Sequence, residues 1–425
     1  MDKEFAIELA TSRIRFGPGV TREIGADLSA LGAKRVAVFT DPWVAGLTPV
    51  ATVRNALDER KIPHQLFDRV RVEPTDGSFQ EAIDFAKAGE FDAYVAVGGG
   101  STMDTAKAAN LYATYPAPLL DYVNPPIGLG KPVPGPLKTM IAVPTTAGTG
   151  SETTGVAIFD FVEMHAKTGI ASRHLKPTLG LLDPKNTRTL PPEVAASTAL
   201  DVLSHAIESY TAVPYASRPR PESPVLRPAY QGSNPISDIW SMEALRMVKR
   251  YMVRAVEHPE DDEARGWMLL AAAYAGIGFG NAGVHLPHGM SYPVSGMVKT
   301  FRAKGYPVDR PLVPHGMSVI LNAPAVFRFT APACPERHLA AAEALGTDIS
   351  GRKAADAGKV LADTIVGLMQ RLKVPDGLKA VGYTSEHIPA LVEGTLPQHR
   401  VTKLSPKAAG PEELASLFED AMHYY

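Results

Sequence analysis

Two histidines stand in nearly repeated surroundings, Leu286-Pro287-His288-Gly289-Met290 and Val313-Pro314-His315-Gly316-Met317. Flanking proline and glycine make short turns and bring the backbone close to whatever the imidazole meets. Upstream, Asp201 and His205 lie four residues apart in a helical pattern, which puts both on one face, one turn apart. One carboxylate and three imidazoles would suit a tetrahedral site for Fe(II) or Zn(II). These residues alone leave other readings open. Histidines beside Pro and Gly also cap and pack helices, an Asp-x-x-x-His pair is often a surface hydrogen bond, and His285 is an alternative ligand. A cysteine–zinc cluster is excluded, because Cys334 is the single cysteine.

A second kind of chemistry is carried by glycines. The run Ala93-Tyr-Val-Ala-Val-Gly98-Gly99-Gly100-Ser101-Thr102 reads as a strand, a glycine turn and a helix start. Glycines let a backbone approach a phosphate, and a helix N-terminus offers free N–H groups and the positive end of its dipole. Ser101 is the expected cap. The segment lacks the GxGxxG fingerprint, and a tight turn that binds nothing would look the same. Val143-Pro144-Thr145-Thr146-Ala147-Gly148-Thr149-Gly150 repeats the theme after another strand. Asp41 follows the strand Val36–Phe39, where a carboxylate can bind ribose hydroxyls and repel a 2′-phosphate; an Asp-Pro turn is the competing reading. A nucleotide and a cation together suggest hydride transfer between an alcohol carbon and nicotinamide, with the cation stabilising an alkoxide.

The elements that would position these residues divide into two groups. In the first half, short apolar runs at Arg35–Thr40, Tyr94–Val97, Thr139–Val143 and Thr178–Leu182 alternate with amphipathic stretches at Val50–Arg60 and Phe79–Ala88. That alternation predicts βαβ units, a parallel sheet, and ligands at the carboxyl ends of its strands. After Leu190-Pro191-Pro192 the pattern turns helical: Glu193–Thr211, Ser237–Glu257, Glu263–Ile277, Pro335–Leu345, Ala354–Leu372 and Pro411–His423. Pro192 fits a first helical turn. The expectation is a Rossmann-like α/β domain over residues 1–186 and an all-α, metal-binding domain over 187–425. Two loops interrupt the helices: Pro214–Pro235, with Arg218, Arg220 and Arg227, and Val298–Pro314, with Lys299, Arg302, Lys304 and Arg310. Basic loops of this kind can hold a substrate carboxylate.

Length and composition set outer bounds. The chain has 425 residues, more than one ordinary core, and 45% hydrophobic residues, a globular value. Its formal net charge of -2 implies no basic face for nucleic acid. No apolar run is long enough to span a bilayer. The first residues, interrupted by Asp2, Glu4 and Glu8, resemble neither a signal nor a transit peptide. With a single cysteine, these features predict a cytoplasmic protein, and a homo-oligomer, a dimer or larger, is expected.

The segments GGGSTMDTAK, PTTAGTGSE, DVLSHAIESY and VHLPHGMSYPVSG with its later VPHG resemble the iron-containing (group III) alcohol dehydrogenase family, in the same order from about Arg15 to the C-terminus. HGMSYP, the long insertion before VPHG and the Pro/Arg-rich loop are most similar to the hydroxyacid-oxoacid transhydrogenase subgroup. The resemblance implies a dehydroquinate synthase-like architecture, NAD as cofactor, and iron held by Asp201, His205, His288 and His315. It puts cofactor contacts on Asp41, Gly98, Gly99, Gly100, Ser101, Thr145, Thr146, Thr149 and Lys167, and drops His285. Tyr292 occupies the position where many members carry a histidine thought to relay protons. That makes Tyr292 the catalytic candidate, although a phenol of unperturbed pKa about 10 is a poor base. Val156 replaces a usual asparagine contact. The implied reaction interconverts a small alcohol or hydroxy acid with its aldehyde or oxo acid, as in 4-hydroxybutyrate/2-oxoglutarate transhydrogenation. General oxidation of primary alcohols and a maleylacetate reductase-like activity are the alternatives. A dehydroquinate synthase-like lyase and a non-enzymatic scaffold fit the motifs less well.

Overall fold

The computed structural model describes residues 2–164 and 166–425. The chain forms two compact units, Ala10–Leu190 and Met1–Leu9 with Pro191–Tyr425.

The first unit is built on a six-stranded sheet. Its strands are β1 (Arg13–Phe16), β2 (Val36–Phe39), β3 (His64–Phe67), β4 (Ala93–Gly98), β5 (Thr139–Pro144) and β8 (Leu179–Leu182). Their spatial order is β1-β8-β5-β4-β2-β3, and every pairing is parallel. Strands β2, β4 and β8 are buried at every position, as their continuous apolar runs require of a parallel sheet covered on both faces. Ile24, Leu28, Val50, Val53 and Leu57 pack on one face. Phe67, Phe91, Met103 and Ala106 pack on the other, beside Phe39 and Tyr94. The edge strands β1 and β3 escape the sequence pattern because RIRF and HQLF are short and part polar, a common disguise of edges. An antiparallel hairpin, β6 (Val156–Phe161) with β7 (Ala166–Ala171), is also absent from the expected elements.

The second unit is helical. Expected and observed spans agree to within a few residues: Pro192–Thr211, Pro235–Glu257, Asp262–Ala282, Pro335–Ala344, Ala357–Arg371 and Pro411–Asp420. The Asp262–Ala282 helix starts where Asp261 accepts the N–H of Ala264 and stops at Gly283, whose φ of 98° suits a glycine C-terminal stop. Residues 2–9, placed in the first domain by the sequence reading, group instead with this unit. Glu4 pairs with Arg227, its N–H donates to the Arg218 carbonyl, and Glu8 exchanges hydrogen bonds with Gln231. No single described helix is long and apolar enough to cross a membrane.

Candidate metal centre and nucleotide loops

The Pro192–Thr211 helix is buried almost all round, because small and apolar residues occupy every side of it. Asp201 and His205 therefore face protein rather than water. His288 sits in the first turn of the Leu286–Gly296 helix, and His315 opens the short helix His315–Ile320. The glycines after both histidines have a steric reason. A Cβ on Gly316 would lie 2.0 Å from the Ser197 carbonyl oxygen and 2.9 Å from Asp201 Cβ. A Cβ on Gly289 would lie 2.7 Å from Thr402 Cγ2. The repeated Pro-His-Gly context is thus a device for close backbone approach.

Asp201 Oδ1 lies 3.6 Å from His205 Nε2, 3.6 Å from His288 Nε2 and 3.8 Å from His315 Nε2. Ligand-type atoms of all four residues fall within 4.8 Å of one another. These separations are too long for hydrogen bonds. They approach the edges of a tetrahedron, about 3.3–3.6 Å for metal–ligand bonds of about 2.0–2.2 Å. Asp201 Oδ1 and His288 Nε2 are buried with no hydrogen-bond partner, which is costly unless something sits among them. The donor set and its unpartnered atoms fit a cation. Burial pushes the Asp201 carboxyl up, but the surrounding imidazoles outweigh it and hold the group well below the usual carboxylate range. Burial also pushes His205 down, to about 3, so it presents a neutral imidazole. Its ring stacks on Phe279, with centroids 3.9 Å apart.

His285 stays outside this cluster. Its Nε2 pairs with Thr211 Oγ1 at 3.0 Å, and burial lowers its pKa to about 4. Glu208, by contrast, is a participant that the sequence reading missed. It is fully buried, accepts from His288 Nδ1 at 2.6 Å, and accepts the backbone N–H of His285 at 2.6 Å and of His288 at 3.4 Å. A carboxylate behind a ligating histidine fixes its tautomer and aims the other nitrogen. The available signal was spacing: Glu208 falls three residues after His205 on the same helix.

Tyr292 lies one turn beyond His288. Its ring is buried and its hydroxyl oxygen accepts from Arg400 Nη2 at 2.9 Å. Four of the basic side chains in the two expected loops are otherwise engaged. Arg227 pairs with Glu4, Arg218 Nη1 donates to the Tyr230 carbonyl at 3.3 Å, and Arg220 lies over Phe5. Arg302 pairs with Asp309 at the surface. The Pro/Arg-rich loop secures residues 2–9.

In the sheet unit, the helix Gly100–Thr114 follows β4 directly. Ser101 is not its cap. Gly99 holds that position without a side-chain bond, and Ser101 Oγ accepts the N–H of Glu73 at 3.1 Å. Thr102 N–H donates to the Gly99 carbonyl at 3.0 Å, while the N–H groups of Gly100 and Ser101 have no partner among the described residues and remain for a ligand. A Cβ on Gly99 would lie 3.3 Å from Thr146 Cγ2, and one on Gly100 would lie 2.6 Å from Thr149 Cγ2, so the two glycine–threonine loops touch. Thr145 N–H donates to the Gly98 carbonyl. Lys107, fully buried, ties the second loop down through Ser151 Oγ at 2.5 Å and the Val156 carbonyl at 2.9 Å. Asp41 Oδ1 accepts from the N–H groups of Trp43 and Val44 at the end of β2. Burial raises its pKa against the pull of those donors. Lys167 on β7 sits between Glu73 at 2.6 Å and Asp160 at 2.9 Å. Its charge is already compensated, so a direct pyrophosphate contact would have to compete with two carboxylates. Open first-turn donors beside a strand-end carboxylate fit a nucleotide.

Residues 11–184 match the family model of iron-containing alcohol dehydrogenase, and residues 229–422 match that of the Fe-containing alcohol dehydrogenase family, C-terminal. A mitochondrial hydroxyacid-oxoacid transhydrogenase of Xenopus tropicalis is 62% identical over 99% of this chain and 92% of its own length. That of Homo sapiens is 60% identical over 99% and 91%. A solved 1,3-propanediol oxidoreductase superposes with a TM-score of 0.86 at 26% identity, covering 98% of this chain and all of its own. Sulfoacetaldehyde reductase from Bifidobacterium kashiwanohense, in complex with NAD+, gives 0.79 at 26% identity, covering 99% of both chains. The expected cytoplasmic location is corrected by the names of these relatives, which are mitochondrial. A lone cysteine fits any compartment that keeps thiols reduced, so it could not make that distinction.

Proposed function

Because the chain belongs to the iron-containing alcohol dehydrogenase family, we propose that this oxidoreductase transfers hydrogen from a small hydroxy acid to an oxo acid. The observation that carries the reading is full-length identity of 60–62% to proteins named hydroxyacid-oxoacid transhydrogenase. The buried Asp–His–His–His cluster supports it. In this reading Asp201, His205, His288 and His315 hold Fe(II), with Zn(II) as the alternative, since three nitrogens and one oxygen suit both. The loops at Gly98–Ser101 and Thr145–Thr149, with Asp41, hold NAD. When bound, the cation and the nicotinamide supply polarisation of a C–O oxygen and hydride exchange. The protein's part is placement: Glu208 aims His288, Phe279 sets the plane of His205, and Tyr292 presents a phenol held by Arg400. Tyr292 acts here as a hydrogen-bonding group rather than a strong base.

The test is to mix the purified, metal-loaded protein with 4-hydroxybutyrate and 2-oxoglutarate, with no added NAD, and follow both products by mass spectrometry. Succinate semialdehyde and 2-hydroxyglutarate should appear in equal amounts, because each hydride removed from one acid reaches the other. Turnover only with added NAD, with simple alcohols as better donors, would make the protein a general alcohol dehydrogenase. The likeness to 1,3-propanediol oxidoreductase is what favours that second reading.

Asp41 carries a further expectation. A 2′-phosphate beside its carboxylate would meet like charge, which in a partly solvated site favours NAD over NADP by about one to two orders of magnitude. Fluorescence titration of nucleotide-free protein with each cofactor measures this directly. Asp41→Ser should narrow the gap. Equal affinities in the unmodified protein would take Asp41 out of the ribose site.

A further inference from the structure

Arg400 differs from four arginines of the helical unit that face carboxylates. Arg227 faces Glu4, Arg254 faces Asp261, Arg337 faces Asp238 and Arg371 faces Glu257. Among the described residues no carboxylate pairs with Arg400. Its Nη2 donates to the Tyr292 hydroxyl oxygen at 2.9 Å, and its guanidinium carbon lies 5.2 Å from the centre of the Tyr230 ring. Its Nη1 is shielded from solvent and has no hydrogen-bond partner. A permanently charged fork with a buried, unused edge is costly, and the cost is removed by an anion with two acceptor oxygens.

Three segments converge to build this spot. The short helix His399–Thr402 carries Arg400 and seats Thr402 against Gly289, next to His288. The Leu286–Gly296 helix carries Tyr292, four residues after His288, on the same side and about 6 Å further along the axis. The Pro/Arg-rich loop delivers Tyr230. Arg218 holds the Tyr230 carbonyl, the Gln231 N–H donates to the Asn281 carbonyl, and the Tyr230 Cβ packs on Gly283. Through Nη2 the fork is therefore held against Tyr292, on the helix that carries a member of the four-residue cluster.

We propose that Arg400 is the carboxylate anchor for the substrate acid, with the Tyr292 hydroxyl as its second donor. Tyr292 spends an oxygen lone pair on Nη2, which leaves its O–H free to donate. A carboxylate can then take one hydrogen bond from Nη1 and one from the phenol. This also gives tyrosine a reason to stand at 292. A histidine there would risk a second positive charge against the guanidinium, whereas a phenol oxygen accepts from the cation and still offers its O–H. The proposal rests on the hydroxy-acid reading above and names the residue that recognises the acid. Arg400 is a binding residue, with no part in moving the proton.

The experiment compares 4-hydroxybutyrate with butan-1-ol, a donor of equal chain length without the carboxylate, in metal-loaded wild-type protein and in R400M. 2-Oxoglutarate is the acceptor for both donors and 2-hydroxyglutarate formation is followed by mass spectrometry; where turnover needs added NAD, NADH absorbance is followed instead. The ratio of kcat/KM for the acid to that for the alcohol should fall about 10- to 100-fold in R400M, the loss of one charge-assisted contact, mainly through KM of the acid. R400K keeps the charge but not the fork and should lie between; it also serves if R400M does not fold. An unchanged ratio, or equal losses on both donors, would overturn the assignment. If the wild-type protein does not oxidise 4-hydroxybutyrate, the functional reading fails, and butyrate then decides the anchor separately. Competitive inhibition of butan-1-ol oxidation by butyrate, weakened at least tenfold in R400K, supports Arg400. Inhibition equal in both proteins, or absent from the wild type, overturns it.

Discussion

His288→Ala is expected to leave the purified protein without stoichiometric metal and to lower turnover by roughly a thousandfold or more. The same change at His285 should leave metal content and kcat/KM within about threefold of the parent. The contrast follows from what each imidazole faces. His288 Nε2 points at Asp201 Oδ1 from 3.6 Å, with no hydrogen-bond partner of its own, while His285 Nε2 is already paired with Thr211 Oγ1. Removing His288 deletes one of four ligand atoms and also leaves Glu208 without the ring N–H it accepts. Polarisation of an oxygen by a cation contributes several kcal/mol to a transition state, and each 1.4 kcal/mol is about a factor of ten in rate. A site reduced to three ligands therefore cannot hold most of the activity. Elemental analysis of the purified variants, read beside steady-state rates, decides the matter. Metal retained in His288→Ala but lost in His285→Ala would mean that the cluster is centred on the wrong histidine.

The residues of this cluster differ in how far the sequence announces them. Asp201 and His205 are legible because helical spacing alone brings them to one face. His288 and His315 are legible because the Pro-His-Gly context repeats, and Gly316 against the Ser197 carbonyl shows what the repeat is for. The parallel strands β2, β4, β5 and β8 are legible as apolar runs closed by turn residues. Glu208 is hidden, because a glutamate in a helix usually reads as a solvated face. Only the burial of the helix on all sides turns it inward. Arg400 is hidden more deeply. Its neighbourhood, Pro397-Gln398-His399-Arg400, has the composition of a polar loop, and its partners come from segments 108 residues or more away in sequence. The opposite difficulty arises at Arg218, Arg220 and Arg227. Their clustering suggests an anion site, but charge density says nothing of where the compensating carboxylate lies. Glu4, 223 residues from Arg227, neutralises part of that loop. Long-range pairing of this kind has no local signature.

Glu208→Gln is expected to weaken metal binding by about 10- to 100-fold, the usual consequence of losing a carboxylate behind a ligating histidine. Glu208→Ala should also lower the stability of the helical unit by about 2–5 kcal/mol. The two substitutions separate two tasks of one side chain. As a carboxylate, Glu208 accepts three hydrogen bonds, from His288 Nδ1 and from the backbone N–H groups of His285 and His288. Glutamine has one oxygen for these donors, and its amide N–H groups would face whichever donor the oxygen does not. Either His288 loses the acceptor that fixes its tautomer, or the first turn of the Leu286–Gly296 helix loses its anchor. Alanine removes every acceptor and leaves three donors buried without partners, which is why its effect should extend beyond the metal. Burial pushes the Glu208 carboxyl up and His288 pulls it back below the usual range, so it remains ionised in the metal-free protein as well. Competition of a chelator for the bound metal measures the first task, and urea unfolding of the metal-free protein measures the second. If Glu208→Gln binds metal as tightly as the parent while Glu208→Ala is destabilised, Glu208 is an anchor of the helix start and has no part in aiming His288.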